Sequence, residues 1–149
     1  MSASDLRLAI LVSRFNADIT ERLLQGARGC LEEHGADQDG IDVYFVPGAW
    51  ELPQAAARIV RNDRHDAVLT LGCVIRGETP HFDYVCDEAS RGLGVVARQS
   101  PIPVVFGVLT TDTHDQALAR AGEGASNKGY EVALAALQMV AFQRRLEAR

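Results

Sequence analysis

The sequence predicts an α/β fold in which helices cover both faces of a parallel β-sheet. Apolar segments of strand length alternate four times with segments of helical periodicity, and one more helix follows near the end of the sequence. The strand segments are almost continuously apolar, which is typical of strands that are buried on both faces. The connections between segments are short, so each helix is expected to pack directly back onto the sheet.

Four apolar segments are predicted as strands. The first is interrupted only by Arg7, and the second is broken by Pro47 and Gly48. The third ends at a turn around Gly77, because glycine is common where the chain reverses. The predicted bounds are residues 6–12, 41–46, 67–75 and 104–109.

Capping signals mark the first two helices. Asp18 is predicted as the N-cap of the first helix, and Glu21 completes an Asp-x-x-Glu box. Gly35 is expected to end this helix in the left-handed conformation that glycine adopts readily. The second helix is expected to begin at residues 50–53, because Pro53 is tolerated only in a first turn.

Similar signals mark the later helices. Thr79 is predicted as an N-cap, with Pro80 at the first helical position. Asp112 is predicted to cap a short helix that ends before a glycine-containing break at residues 122–126. A final helix is predicted over residues 128–146.

Together these elements predict a three-layer sandwich around a four-stranded parallel sheet. Crossovers between parallel strands are right-handed, so the helices divide between the two faces of a flavodoxin-like, doubly wound sheet. The sequence has no internal repeat or linker, and residues 1–149 are expected to form a single domain. The carboxyl ends of all four strands then meet at one edge, where open α/β sheets bind ligands.

Composition and charge narrow the class of protein. The 149 residues carry a formal net charge of −5 with no long basic run, which argues against a nucleic-acid or anionic-membrane partner. No signal peptide and no apolar stretch of membrane-spanning length is recognised. Cys30, Cys73 and Cys86 form no Cys-x-x-Cys pair, so a reduced, cytoplasmic setting without disulfides is expected. The four histidines lack metal-ligand spacing, so no metal site is expected.

The final predicted helix is apolar on all sides. From residue 132 to residue 142, only Gln138 is strongly polar. One side can cover the sheet, and the other is expected to meet another copy of the chain, because a helix apolar all round is buried on more than one side. The alternative is an alanine-rich helix whose outer side is exposed, since isolated apolar residues are normal at protein surfaces.

Two aromatic residues follow predicted strands at the edge where the carboxyl ends meet. Phe15 comes after the first strand and Trp50 after the second, at positions that do not require a core residue. A flat heterocycle could stack on either ring, with Asn16 and Glu51 recognising its hydrogen-bond donors and acceptors. The alternative for each aromatic taken singly is that it fills the core.

The turn after the third strand combines an anion site with a candidate proton carrier. Free backbone N–H groups at the start of the next helix favour an anion such as phosphate. His81 lies in the first helical turn, where the positive helix end disfavours imidazolium, so a neutral ring could accept a proton. The alternatives are an ordinary histidine at a helix start and, for Arg120 and Lys128 further along, ordinary solvated charge.

Six motifs carry a resemblance to a known enzyme family. In chain order they are SRFN (13–16), VPGAWELP (46–53), GCVIRGETPHFDYV (72–85), PVVFGVLTTDT (103–113), ALARAG (117–122) and NKGYEVALAAL (127–137). The chain resembles the lumazine synthases, also called the riboflavin synthase β-chain family, which catalyse the penultimate step of riboflavin biosynthesis. The resemblance implies a transferase without a cofactor. Its substrates would be 5-amino-6-(D-ribitylamino)uracil and 3,4-dihydroxy-2-butanone 4-phosphate, and its products 6,7-dimethyl-8-ribityllumazine, phosphate and water.

The resemblance also implies roles for individual residues. His81 would move protons. The phosphate would be bound by Glu78 and Thr79, through backbone N–H groups, and by Arg120. The residues implied to hold the pyrimidine ring and the ribityl chain are Phe15, Asn16, Ala49, Trp50, Glu51, Cys73, Val74, Ile75, Phe106 and Lys128. In the family, the positions of Phe106, Arg120 and Lys128 belong to the neighbouring subunit.

The resemblance further implies a homopentamer, and some relatives assemble such rings into a shell of sixty subunits. Two departures from the family favour the free pentamer. The segment before SRFN is short, and residues 122–126 lack a lysine that is often present there. A third departure is Glu78, whose carboxylate would oppose phosphate binding unless it points away from the site.

Two other functions fit the same fold. One is a non-catalytic protein that binds a flavin or lumazine or forms a shell, and the other is the related activity that dismutates lumazine to riboflavin. A simple binder needs no proton carrier, so His81 favours the synthase. Thr79 and Arg120, as phosphate-site residues, argue against the dismutating activity.

Overall fold

The structure, a computed structural model, describes residues 1–148. Its strands are β1 (Leu8–Ser13), β2 (Ile41–Val46), β3 (Ala67–Ile75) and β4 (Val104–Thr111). Its α-helices are α1 (Ala17–Glu33), α2 (Leu52–Arg61), α3 (His81–Gln99), α4 (His114–Ala119) and α5 (Lys128–Glu147). All strand pairs are parallel, and the order across the sheet is β2-β1-β3-β4. The predicted α/β fold, a flavodoxin-like three-layer sandwich, is confirmed.

Two layers of helices enclose the sheet. Helices α1 and α5 pack together over one core, and α2 and α3 pack together over the other. The central strand β1 serves both cores, because Ile10 and Val12 belong to the first and Leu11 to the second. All six residues of β1 are buried, as expected for a strand covered on both faces. In this strand order β2 is added on one side of β1, and β3 and β4 are added on the other. The topological switch point of the sheet therefore lies between β1 and β3.

The predicted strand bounds are confirmed to the residue for β2 and β3. Strand β1 begins later than predicted, at Leu8, and the backbone N–H of Arg7 is engaged elsewhere, donating to the Asp66 carboxylate at 2.8 Å. Strand β4 runs further than predicted because its pairing with β3 continues to the pair of Ile75 and Thr111.

The predicted N-cap of α1 is wrong. The cap position is Asn16, in the left-handed conformation (φ 64°), and no side chain caps this helix start. Asp18 lies in the first turn instead, and its carboxylate accepts a hydrogen bond from Nε2 of His114 at 2.6 Å. This bond, made to a residue far along the chain, also lowers the pKa of Asp18.

The predicted caps of α3 and α4 are each wrong by one residue. Helix α3 is capped by Pro80 rather than Thr79, and no side chain makes a capping hydrogen bond there. Helix α4 is capped by the hydroxyl of Thr113 rather than by Asp112. The Asp112 carboxylate is unavailable as a cap because it pairs with Nε of Arg76 at 2.8 Å.

Other helix boundaries follow the sequence signals. Gly35 ends α1 with a positive φ of 88°, as predicted. Pro53 lies in the first turn of α2, which follows a short 3₁₀ turn over Ala49–Glu51. The glycine-containing break before α5 holds another 3₁₀ turn, Gly124–Ser126, and α5 begins at Lys128 as predicted.

A close approach between α1 and α5 fixes the start of α5. A Cβ atom on Gly129 would lie 1.9 Å from the carbonyl oxygen of Leu23, so only glycine fits there. The buried Asn127 caps α5, since its Oδ1 accepts from the N–H of Gly129 at 2.7 Å. These contacts hold the neighbouring Lys128 in a defined place at the helix start.

The outer side of α5 carries apolar side chains that this chain does not cover. Val132, Ala136 and Val140 are buried, whereas Met139 and Phe142 are exposed. The expected contact with a second copy of the chain stays a prediction. Within residues 1–148, no helix has both the length and the apolar character needed to cross a membrane.

Candidate functional site

A cleft of about 590 Å³ opens at the carboxyl ends of β1, β2 and β3. It lies at the topological switch point of the sheet, which is the usual ligand site of doubly wound folds. Its walls are the segments that follow these three strands and the first turns of α3. The lining residues are Phe15, Asn16, Pro47, Gly48, Ala49, Trp50, Glu51, Cys73, Val74, Ile75, Gly77, Thr79, His81, Phe82 and Val85. Most of the residues predicted from the sequence therefore lie together.

The base of the cleft is held by hydrogen bonds between the strand ends. The side-chain amide of Asn16 donates to the carbonyl oxygen of Cys73 at 2.9 Å, joining the ends of β1 and β3. The backbone N–H of Phe15 donates to the carbonyl oxygen of Pro47 at 3.0 Å, extending the pairing of β1 with β2. The segment that carries Phe15 and Asn16 is thus fixed on both sides.

The two predicted aromatic residues are both exposed at the cleft. The side chain of Phe15 is 72% exposed and that of Trp50 is 50% exposed, so neither fills the core. An exposed aromatic face is costly to leave in water and is well suited to stacking on a flat ring. The alternative of core filling, considered from the sequence, is wrong for both residues.

The segment after β2 is shaped by Glu51. Its carboxylate oxygen Oε1 accepts from the backbone N–H of Gly48 at 2.9 Å, while its own N–H donates to the carbonyl oxygen of Gly48 at 3.2 Å. This reciprocal pair closes the turn that carries Ala49 and Trp50. Glu51 therefore stabilises its own loop, and it also lines the cleft.

The turn between β3 and α3 forms one end of the cleft. Gly77 and Thr79 line the cavity, and His81 is the first residue of α3 and also lines it. The N–H groups in the first turn of a helix lack partners within the helix, so this end of the cleft favours an anion. Glu78 is exposed and is not among the residues that line the cleft.

Cys73 is the cleft residue whose ionisation is most perturbed. Burial, with a smaller contribution from the charge of Asp18, raises the pKa of the Cys73 thiol to about 12. The thiol is therefore protonated at neutral pH and is a poor nucleophile. Cys73 contributes its backbone carbonyl oxygen and its packing to the site.

Besides Glu78, three predicted site residues lie outside the cleft of their own chain. Phe106 is the third residue of β4, well before the carboxyl end of the strand, and its side chain is 41% exposed. Arg120 is the C-cap of α4, and Lys128 lies at the start of α5. Arg120 and Lys128 line a separate pocket beside the end of β4.

Both cations outside the cleft have polar contacts within the chain. The Nη1 atom of Arg120 donates to the carbonyl oxygen of Gln116 at 2.9 Å. The Nζ atom of Lys128 lies 3.3 Å from the Glu131 carboxylate, a partly exposed pair of modest strength. Neither contact brings the cation to His81, so a single chain does not unite the whole predicted set.

Arg76, to which the sequence motifs gave no role, lies at the start of the turn after β3. Its backbone N–H donates to the carbonyl oxygen of Thr111 at 2.8 Å, and its Nε donates to Asp112 at 2.8 Å. Its guanidinium also lies 4.5 Å from the centre of the Phe82 ring. The hydrogen bond to Asp112 raises the pKa of Arg76 further, so the side chain stays charged. Arg76 is part of the motif 72–85, but its partner Asp112 is remote in sequence, so the pair could not be recognised from the sequence.

Residues 1–148 contain no cluster of three or more His, Cys, Asp or Glu side chains suited to a metal ion. The three cysteines, all in the described part of the chain, are free thiols.

Comparison with known protein families agrees with the sequence motifs. The family described as 6,7-dimethyl-8-ribityllumazine synthase matches residues 5–144 of the chain. Since the match covers nearly the whole chain, the protein belongs to this family. It is accordingly a transferase, with lumazine synthase activity in riboflavin biosynthesis.

Proposed function

We propose that this member of the family condenses 5-amino-6-(D-ribitylamino)uracil with 3,4-dihydroxy-2-butanone 4-phosphate. The products are 6,7-dimethyl-8-ribityllumazine, phosphate and water. One observation carries the proposal: the exposed rings of Phe15 and Trp50 share a cleft with His81 and the amino end of α3. A surface for a flat ring, a proton carrier and an anion site are the three features that this reaction needs.

The pyrimidine substrate occupies the side of the cleft formed by β1, β2 and β3. Phe15 stacks on the ring, and Asn16 lies near the ribityl chain. The segment 49–51 holds the ribityl group and part of the ring, through Ala49, Trp50 and Glu51. The ring edge meets backbone groups of Cys73, Val74 and Ile75. In support, all of these residues line the one cavity.

The phosphate of the second substrate binds at the turn before α3. The backbone N–H groups of Glu78 and Thr79 donate to it, and the helix dipole adds a favourable field. Only the N–H of Glu78 takes part. The guanidinium of Arg120 completes the site with a charge-assisted pair.

A neighbouring copy of the chain supplies part of each site. Phe106, Arg120 and Lys128 lie outside the cleft of their own chain, so they can act on substrate only in the cleft of another copy. A head-to-tail contact of this kind closes into a ring when the rotation allows. The proposed ring has five subunits, a number taken from the resemblance to the family.

The chemistry requires little beyond positioning. The 5-amino group of the pyrimidine condenses with the ketone and one water is lost, and phosphate is then eliminated. The ribitylamino nitrogen attacks the carbonyl that this elimination forms, and the ring closes with loss of a second water. Both substrates carry their own reactive groups, so no cofactor is needed. Holding two reactants together supplies much of the acceleration. His81 then transfers protons, which typically adds a factor on the order of 10²–10⁴.

We also propose that residues 1–149 act as one catalytic domain in the cytoplasm. Strand β1 contributes to both cores, which supports a single folding unit. The free thiols of Cys30, Cys73 and Cys86 are compatible with a reducing compartment.

Mixing the purified protein with both substrates tests the proposed function. Lumazine fluorescence is expected to appear in proportion to protein concentration and to require both substrates. The His81→Ala variant is the matched control, since it keeps the cleft and loses the proton carrier. A protein that binds lumazine without forming it would instead be the non-catalytic binder, and conversion of added lumazine to riboflavin would indicate the dismutating activity.

A further inference from the structure

A continuous series of hydrogen bonds leads from the turn before α3 to Arg120. It starts at Arg76, whose Nε donates to Oδ1 of Asp112 at 2.8 Å. The backbone N–H of Asp112 donates to Oε1 of Gln116 at 2.8 Å. The carbonyl oxygen of Gln116 accepts from Nη1 of Arg120 at 2.9 Å. These four residues, Arg76, Asp112, Gln116 and Arg120, are called the bridge.

The first residue of the bridge is fixed on several sides. The backbone N–H of Arg76 donates to the carbonyl oxygen of Thr111 at 2.8 Å, which ties the turn to the end of β4. The guanidinium stacks 4.5 Å from the centre of the Phe82 ring and lies 3.7 Å from the Asp83 carboxylate. Arg76, the residue before Gly77, is therefore linked to the end of β4, to the start of α3 and to Asp112.

The far end of the bridge is fixed by the caps of α4. The Oε1 atom of Gln116 accepts from the N–H of Asp112 and, at 3.2 Å, from the N–H of Thr113. The Thr113 hydroxyl in turn accepts from the N–H of Gln116 at 3.1 Å. Since α4 is only six residues long, these bonds set its orientation and hence the position of Arg120 at its end.

The bridge lines its own pocket of about 320 Å³, separate from the cleft. Arg76 and Asp112 line this pocket and are not among the residues that line the cleft. Their hydrogen bonds instead go to residues that hold the turn before α3 and α4.

We infer that Arg76 and Asp112 are positioning residues for two phosphate sites. Within one chain they hold the turn over residues 77–79, and through Gln116 they orient the Arg120 guanidinium that the chain offers to its neighbour. This inference rests on the proposed function, in which Arg120 acts in the cleft of another copy. In a ring, the bridge connects each phosphate site to the next one.

The bridge residues are solvent-exposed, so each bond is individually weak and the expected effects are severalfold. In Arg76→Met and in Asp112→Ala, KM for the butanone phosphate is expected to rise about fivefold, while KM for the pyrimidine stays within about twofold. The double variant is expected to be no worse than the more affected single variant, because both substitutions break the same bridge. Arg14→Met is the matched control, since Arg14 stacks 4.6 Å from the Phe45 ring and is not part of the bridge.

Equal rises in both KM values, or additive losses in the double variant, would overturn the positioning role. Titration with inorganic phosphate gives a readout that does not depend on turnover. Phosphate affinity is expected to fall about fivefold in either bridge variant and to stay unchanged in Arg14→Met. Unchanged affinity in the bridge variants, or no phosphate binding by the unmodified protein, would also overturn the inference.

Mixed rings separate the two ends of the bridge. His81→Ala subunits are mixed with Arg120→Ser subunits. An intact site then combines the cleft of an Arg120→Ser subunit, which keeps His81, with the Arg120 of a neighbouring His81→Ala subunit. Adding Arg76→Met to the His81→Ala subunit then acts mainly through the Arg120 that it lends, because its own cleft lacks the proton carrier and contributes little to turnover. KM for the butanone phosphate is expected to rise about threefold or more, whatever the number of intact sites. An unchanged KM would show that the bridge does not act on Arg120, whereas a protein that forms no lumazine at all would refute the proposed function.

Discussion

The side-chain amide of Asn16 donates a hydrogen bond to the carbonyl oxygen of Cys73, at a distance of 2.9 Å, across the base of the cleft. Asn16 makes this bond from the left-handed backbone conformation, with φ of 64° and ψ of 49°. Asparagine tolerates that conformation better than most residues. The bond joins β1 to β3 at the topological switch point of the sheet, and it holds the segment that carries Phe15.

Substitutions of Asn16 should separate the hydrogen bond from the backbone conformation. Asn16→Gly loses the bond but adopts positive φ freely, and its free energy of unfolding is expected to fall by about 1 kcal/mol. Asn16→Ala loses the bond and is also strained, so its loss should be about 2 kcal/mol. Urea denaturation measures both. Equal losses would show that the left-handed conformation carries no strain, and no loss in either variant would show that the bond adds nothing to stability.

Removing His81 should slow turnover while leaving the fold intact. His81→Ala is expected to reduce kcat by about 10- to 1,000-fold, as expected for the loss of one general acid or base. The residue is exposed at the start of α3, so the variant should unfold at nearly the same temperature as the unmodified protein. Steady-state kinetics and a thermal melt check the two parts. A rate within twofold of the original would show that positioning alone drives the reaction.

Replacing Arg120 should affect one substrate far more than the other. Arg120→Ser is expected to raise KM for the butanone phosphate strongly, because the guanidinium is proposed to pair with the phosphate, and to change KM for the pyrimidine little. Steady-state kinetics with each substrate varied in turn provides the measurement. Equal changes in both KM values would remove Arg120 from the phosphate site.

The sequence predicted the fold well because its strands are limited by local signals. Pro47 ends β2, and the turn around Gly77 follows β3, so these bounds could be located from the sequence alone. Helix starts were predicted less well, since polar side chains can cap a helix or pair elsewhere. Asp18 pairs with His114 and Asp112 pairs with Arg76, and no local pattern reveals either partner.

In the candidate site, too, features that depend on local sequence could be predicted and features that depend on remote contacts could not. The exposure of Phe15 and Trp50 could be predicted because aromatic residues that follow strands are not required in the core, and both are exposed. Phe106 lies in the first half of β4 and outside the cleft of its own chain, and its place in the site was implied only by the resemblance to the family. The role of Arg76 could not be predicted, because it depends on a contact with Asp112 that only the pairing of β3 with β4 brings about.

Buried thiols should make the fold sensitive to alkaline pH. Burial raises the pKa of Cys73 from 9.0 to about 12 and that of Cys30 to about 11. Between pH 9 and these values, the thiols ionise in the unfolded chain but stay protonated in the folded one, so the free energy of unfolding falls as pH rises. Below pH 9 both states are protonated, and no contribution from these thiols is expected.

Alanine variants test this contribution. A variant with both Cys30→Ala and Cys73→Ala is expected to lose stability less steeply between pH 9 and pH 11 than the unmodified protein, whatever its stability at pH 8. Cys86→Ala is the comparison variant: burial also raises the pKa of Cys86, but this thiol is less buried, so its removal should change the slope less. Urea denaturation at several pH values measures the slope. The same slope in the double variant and the unmodified protein would show that other groups cause the alkaline loss.

Each active site is proposed to be built from two copies of the chain. The most direct measurement mixes two impaired variants, His81→Ala and Arg120→Ser, and lets their subunits exchange. Light scattering first establishes the mass of the assembly, for which a pentamer is expected. Boundaries that combine the intact cleft of one variant with the intact Arg120 of the other should then form lumazine, so activity well above that of either variant alone is predicted. No recovery after confirmed exchange, or a stable and fully active monomer, would contradict the claim and show that each site is formed within one chain.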